Sequence, residues 1–440
     1  GVMNYYYFGW FLLSVPMLTL GILPEVAFQL GIATFVALAA ISVWTFATNL
    51  FAIGRRENSY LLIHPKTPLF FGLFAISIFG IFGTFDAIRQ HHDRLRSVNS
   101  WNSLNDWPII GPVIEFLGGL WAWINGSSIQ PFDWWGPSRV NTGNFDITEF
   151  PFFTFLFGDL HPHLMGLPIF LLVLCLGYTY MLTCMEGKQR KTRGLAAMIG
   201  ATVGVARMTN TWDFPTLALI SILALMVGAY SYPNVQTLPR KHFLTGEPII
   251  WTAFGASTSL SFLVSGGGLE VALCALITSI GFTAIICKPH FRYRILIFLR
   301  HLLIAIATHL ILIIPFVRSN QTFNLGLHGS EWVSPFSDFI AHWGLFLFIA
   351  GAYFVTLSAE RQSSLKQHHL LLAATIGTIL LGATVGWSFA TCITWLGASS
   401  YFIMTEARTS KRNIARLTAL FLYAFGFMVL AGPEIITINN

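Results

Sequence analysis

Residues 131–168 read PFDWWGPSRVNTGNFDITEFPFFTFLFGDLHPHLMGLP, the chain's densest run of reactive side chains. Asp133, Trp134, Trp135, Arg139, Asn141, Asp146, Glu149, Asp159, His161 and His163 fall within 31 residues. Glu149 and Asp159 are carboxylates of the kind that take a proton from an attacking hydroxyl. Asp159, His161 and His163 alternate, and Pro162 resists a regular helix. An extended segment would aim all three the same way, as ligands for a divalent metal such as Mg or Mn, or as an acid/base–His pair. The same spacing also suits a helix start, with Asp159 as the N-cap and Pro162 in the first turn. Trp134 and Trp135 fit an interfacial belt or a platform for a sugar ring. Arg139 offers a guanidinium to an anionic group such as phosphate.

A second run, RMTNTWDFP, holds Arg207, Asn210 and Asp213. They could bind a substrate, or Arg207 and Asp213 could neutralise each other. A third, weaker set is Arg318, Asn320, His328, Glu331, Asp338 and His342, in a stretch with the length and mixed polarity of a lid. His91 and His92 are adjacent and point apart on a helix, so they make no metal pair. Glu115 lies in an apolar stretch, where it would snorkel or face a polar cavity.

What must position these groups follows from composition. The 440 residues are 55% hydrophobic and only 10% charged, with a mean hydropathy of +0.66. A soluble domain carries about 25% charged residues. The chain is therefore an all-α, polytopic integral membrane protein. Apolar runs predict about twelve spans, at residues 26–53, 68–85, 164–182, 194–206, 215–230, 248–264, 269–287, 295–314, 339–357, 370–385, 387–404 and 417–431. The Gly/Ala-rich run 194–206 is short, and either spans with help from 207–214 or packs as a broken helix. Residues 5–20 are apolar but carry Pro16, and read as a re-entrant or juxtamembrane helix with Gly1 outside.

Charge assigns the faces. Alternate loops hold 19 of the 25 bases against five acids, so one face carries about +14. The other holds six bases and 14 acids, about −8. The positive-inside rule makes the basic face cytoplasmic, in a multi-pass protein of the plasma membrane. The net charge of +6 is thus a topology signal, and nucleic acid is not a partner. The reactive residues fall on the extracytoplasmic face, chiefly in an external loop region, 86–157. No nucleotide or HExxH motif is present, and the five cysteines all lie in or beside spans. Starting at Gly1 and stopping soon after a span, residues 1–440 read as a single transmembrane domain cut from a longer chain.

Three stretches carry a resemblance: NYYYFG at 4–9, EFPFFTFLFGDLHPHLMGLP at 149–168, and NTWDFP at 210–215. They are similar to the signatures of an uncharacterised membrane-protein family of archaea and Chloroflexi, named for its triple tyrosine, and the likeness runs nearly end to end. That family in turn resembles the GT-C glycosyltransferases. The resemblance implies a GT-C-like fold and transfer of a sugar from a polyprenyl-phosphate donor on the outer face. It also implies a principal catalytic carboxylate in an external loop that would precede Gly1. Such chemistry needs a base, cations for the departing phosphate and an aromatic surface. Glu149 and Asp159, Arg139 and Arg207, and Trp134 and Trp135 supply these types. The alternatives are a transporter, which would show charge at mid-membrane depth and an internal repeat, and a non-catalytic subunit working with other membrane chains.

Overall fold

A computed structural model describes residues 6–57, 67–80, 85–99, 101, 111–133, 135–136, 154–155, 157–158, 160–233, 289–319, 326–329, 334–360, 382, 384, 386–407, 414–432 and 436–439. Among these the helices are α1 (Phe8–Leu20), α2 (Pro24–Glu57), α3 (Thr67–Gly80), α4 (Phe85–Arg96), α5 (Gly111–Ile124) and α6 (Pro162–Met185). They continue with α7 (Gln189–Thr209), α8 (Phe214–Ser231), α9 (Pro289–Ser319), α10 (Phe336–Glu360), α11 (Trp387–Ala407) and α12 (Ile414–Ala431). The departure from an all-helical chain is a ribbon in which β1 (Gly326–Gly329) pairs antiparallel with β2 (Ile436–Asn439).

Among the described residues, five helices are long and apolar enough to cross a membrane: within α2, α6, α9 and α10, and Thr211–Ser231. Their outward surfaces suit lipid. Phe348 is 73% and Val355 70% exposed on α10, which water would penalise and hydrocarbon does not.

The chain divides into two compact units, one of residues 1–50 with 159–324 and one of 51–158 with 325–440. In the first, α6, α7, α8 and α9 pack as a bundle whose directions alternate. Gly177 faces Ala224 and Gly228 faces Tyr180, so α6 and α8 run parallel. Gly200 abuts Ala305 and Gly204 abuts His309, so α7 and α9 also run parallel. The end of α8, the start of α9 and the start of α7 meet: Thr192 shares a hydrogen bond with Tyr232 (3.1 Å), and Gln189 donates to the Tyr293 hydroxyl (3.3 Å).

α7 is one unbroken helix from Gln189 to Thr209, longer than the run 194–206 and not the broken helix that was its alternative. Its small residues are the reason. A Cβ on Gly200 would overlap the Ala305 carbonyl, so the two backbones meet at the distance only glycine permits. Thr308 donates across this seam to the Ala197 carbonyl (3.1 Å).

α1 ends at Gly21, whose positive φ of 64° lets its N–H reach back to Met17. Tyr6, Tyr7 and Phe8 pack against Met208, Leu310, Ile313 and Phe316, at the Asn210 end of the bundle. The tyrosine-rich start and the NTWDFP run thus share one end of this unit.

In the second unit α11 and α12 are antiparallel, with Trp395 stacked on Phe427 at one level and Glu406 paired with Arg416 (3.5 Å) at another. Phe354 of α10 stacks on Trp395 and Phe402 in this aromatic core. α4 lies against α5 because a Cβ on Gly119 would collide with the Leu95 carbonyl. Glu115 on α5 is ion-paired with Arg96 on α4.

Candidate functional site

The Asn210 end of the first unit is built by the close of α7, a 3-10 turn at Thr211–Asp213 and the openings of α6 and α8. α7 stops at Asn210, whose extended backbone (φ −149°, ψ 102°) breaks the helical path. The turn then carries Asp213 to the N-cap position of α8, and Pro215 in the first turn commits the chain to a new helix. Asn210 is buried and its side chain hydrogen-bonds Asp213. Asp213 lies on the backbone of α6: a Cβ on Gly166 would stand 2.7 Å from its Oδ2.

Arg207, one turn earlier on α7, has its guanidinium carbon 4.7 Å from the centroid of the Phe214 ring. That ring also stacks on His309 of α9 (5.1 Å, 19°). The arrangement of Arg207, Phe214 and His309 holds a cation at the helix end through an aromatic face. His309 is 8% exposed, and neither of its ring nitrogens has a hydrogen-bond partner among the described residues.

The opening of α6 carries the two histidines. The helix begins at Pro162, and His161, in extended conformation (φ −85°, ψ 155°), holds the N-cap position. Pro162 is in the first turn, as expected; Asp159, the expected cap, lies outside the described residues. His161 and His163 lie side by side, ring centroids 4.5 Å apart and 41° inclined. His163 lies three residues before Gly166 on α6, about 4.5 Å of axial rise, and is exposed.

Of the residues singled out from sequence, then, Arg207, Asn210 and Asp213 gather where α7 gives way to α8, and His161 and His163 lie against each other at the opening of α6. Glu149, Asp159, Arg139 and Trp134 lie outside the described residues. Trp135 is 54% exposed in the second unit, where its backbone N–H donates to the Asp133 carboxylate (3.0 Å). Asp133 is in turn held to α4 by Gln90, which donates to its carbonyl (3.1 Å) and accepts its N–H (2.6 Å).

Among the described residues no three His, Cys, Asp or Glu side chains group as metal ligands. Two adjacent imidazoles suit Mn better than Mg, which prefers carboxylate and water oxygens. Of the third set, Asp338 accepts from Ser337 (3.1 Å) and His342 packs edge-on to Trp343 (4.5 Å). Asn320 and Glu331 lie outside the described residues, as does the side chain of His328.

Sequence reasoning passed over Gly166, Phe214 and His309. For His309 a signal existed, since an imidazole inside an apolar span at 295–314 is rare without a purpose. For Gly166 there was none: its role is visible only once Asp213 lies on it.

The model of a family described as Uncharacterized membrane protein (DUF2298) matches residues 1–440. No curated protein and no solved structure matches the chain.

Proposed function

The chain belongs to that family of membrane proteins, and on that premise we propose that it is a glycosyltransferase of GT-C type. In this reading it has about twelve spans in the plasma membrane, and takes a sugar from a polyprenyl-phosphate donor on the extracytoplasmic face. The observation that carries the proposal is the grouping of Arg207, Asn210 and Asp213 at the end of the first unit where Asp213 lies against the opening helix that also carries His161 and His163. A cation that is held on an aromatic face can take the donor phosphate, and an amide–carboxylate pair can accept and donate to sugar hydroxyls.

Asp159 or Glu149 is the base that deprotonates the acceptor. Arg139 is a second phosphate ligand, and Trp134 and Trp135 carry the sugar or lie in the interface. A bound divalent ion, held by His161, His163 and Asp159, would offset charge on the departing phosphate. The two imidazoles alone would orient it weakly, so the base and the arginines carry the reaction as proposed.

The test is binding and transfer of a radiolabelled polyprenyl-phosphate sugar by the full chain in proteoliposomes. Arg207→Ala should weaken donor binding about tenfold or more, the size of one charge-assisted contact. Gly166→Ala should displace Asp213 and lower binding with Arg207 intact. Asp159→Asn should remove transfer while leaving binding in place. Binding unchanged by all three substitutions would sink the proposal. Solute flux without transfer would install the transporter instead. Stable co-purification with other chains, with no effect of Asp159→Asn, would install the non-catalytic subunit.

A further inference from the structure

The opposite end of the first unit carries an arginine that the proposed transfer does not use. Arg300 lies in α9, and its Nε and Nη2 atoms are closed to solvent with no hydrogen-bond partner among the described residues. Its electrostatic neighbours are Arg193 of α7 and the hydroxyls of Tyr180, Tyr232 and Tyr293. Among the described residues no carboxylate is one of them. Glu186, at the same end, is exposed and paired with Lys188 (2.5 Å).

A desolvated guanidinium with unmade hydrogen bonds is costly unless an anion meets it. The surroundings are fixed rather than collapsible. Thr192 and Tyr232 share a hydrogen bond, Gln189 holds the Tyr293 hydroxyl, and Arg294 lies over the Tyr230 ring (4.7 Å). Depth also fits. The register that sets Ala305 beside Gly200 puts Arg300 level with Leu195. That is about 9 Å along α7 from Gln189, at ~1.5 Å per residue. An arginine side chain spans much of that distance toward the membrane surface.

We propose that Arg300, with Arg193 and the hydroxyls of Tyr232 and Tyr293, binds a phosphate group at this end of the bundle. The planar guanidinium takes two phosphate oxygens side by side, and the tyrosine hydroxyls donate to a third. The phosphate belongs to an anionic lipid headgroup or to a free phosphate ion; basic pockets between spanning helices hold headgroups in this way. The site is independent of sugar transfer, and its failure would leave that reading untouched.

The test is thermal unfolding of the full chain in nonionic detergent, titrated with phosphatidylglycerol, with phosphatidylcholine, or with inorganic phosphate. Phosphatidylglycerol should raise Tm saturably and phosphatidylcholine should not. Arg300→Gln should weaken the apparent affinity about tenfold, as loss of a charge-assisted contact does. A response to phosphatidylglycerol alone identifies the headgroup. A response to inorganic phosphate with the same dependence on Arg300 identifies the free ion. If Arg300→Gln does not fold, Tyr232→Phe and Arg193→Gln carry the same readout from the rim. The proposal is overturned if no ligand shifts the wild-type chain, or if the variants respond as it does.

Discussion

His91 and His92 show how much a single position owes to its surroundings. Adjacent in sequence, they face different partners: His91 stacks on Phe132 (4.5 Å) and His92 on Phe116 (5.4 Å). Burial, and then the Arg94 guanidinium beside it, push His91 below the usual 6.5. The sign follows from linkage. The unfolded chain takes up this proton first, so stability is intact above about pH 6.5 and is lost as pH falls toward the depressed folded value. Hydrogen-exchange protection factors of the α4 amides, which are corrected for the intrinsic pH dependence, should therefore fall on acidification through that window. His91→Phe should flatten the response; an unchanged slope in that variant would assign the effect elsewhere. Arg207 and Asp213 were legible from sequence as polar groups near a membrane boundary. Their actual seats, on the Phe214 ring and against Gly166, were not.

The helices depend on small residues as much as on apolar ones. α7 carries Gly194, Gly200 and Gly204, which look alike in sequence and differ in the fold. A Cβ on Gly194 meets nothing within 4 Å, whereas one on Gly200 overlaps the Ala305 carbonyl. Gly194→Ala should be neutral or stabilise by ~0.5–1 kcal/mol, since glycine weakens a helix by that amount. Gly200→Ala should destabilise by about 1–3 kcal/mol, the cost of overpacking. Thermal unfolding of the two variants side by side checks this, and equal shifts would refute the close α7–α9 seam. The same seam explains why the short run at 194–206 is a full helix. Its weak hydropathy reflects packing against protein over much of its surface, which apolar-run reasoning misreads as a short or broken span.

Across the molecule, alternation of charge and alternation of helix direction are independent observations that agree. α7 and α9 run parallel, and both begin in basic sequence. α8 ends where α9 begins. The predicted spans at 248–264 and 269–287 lie outside the described residues. Single cysteines at Lys191 and at Trp212, in a chain freed of its native cysteines, should react with impermeant maleimide from opposite sides of sealed membranes. Lys191 should be reached only from the cytoplasmic side. Labelling of both from one side would reject the topology, and inverted labelling would reject the assignment of faces while leaving the bundle intact.

The membrane-spanning, helical nature of the chain was decided by composition and charge order, which are properties of a line and survive without any contact. The same is true of the neighbourhood of the reactive residues, since Arg207, Asn210 and Asp213 are close in sequence. Tertiary structure alone decided what those groups rest on. Gly166 and Asp213, Phe214 and His309, and Tyr180 and His301 meet across 47, 95 and 121 positions of chain. Such pairings follow from the register of one helix against another, set by where backbones can approach, and no local pattern of residues encodes that register.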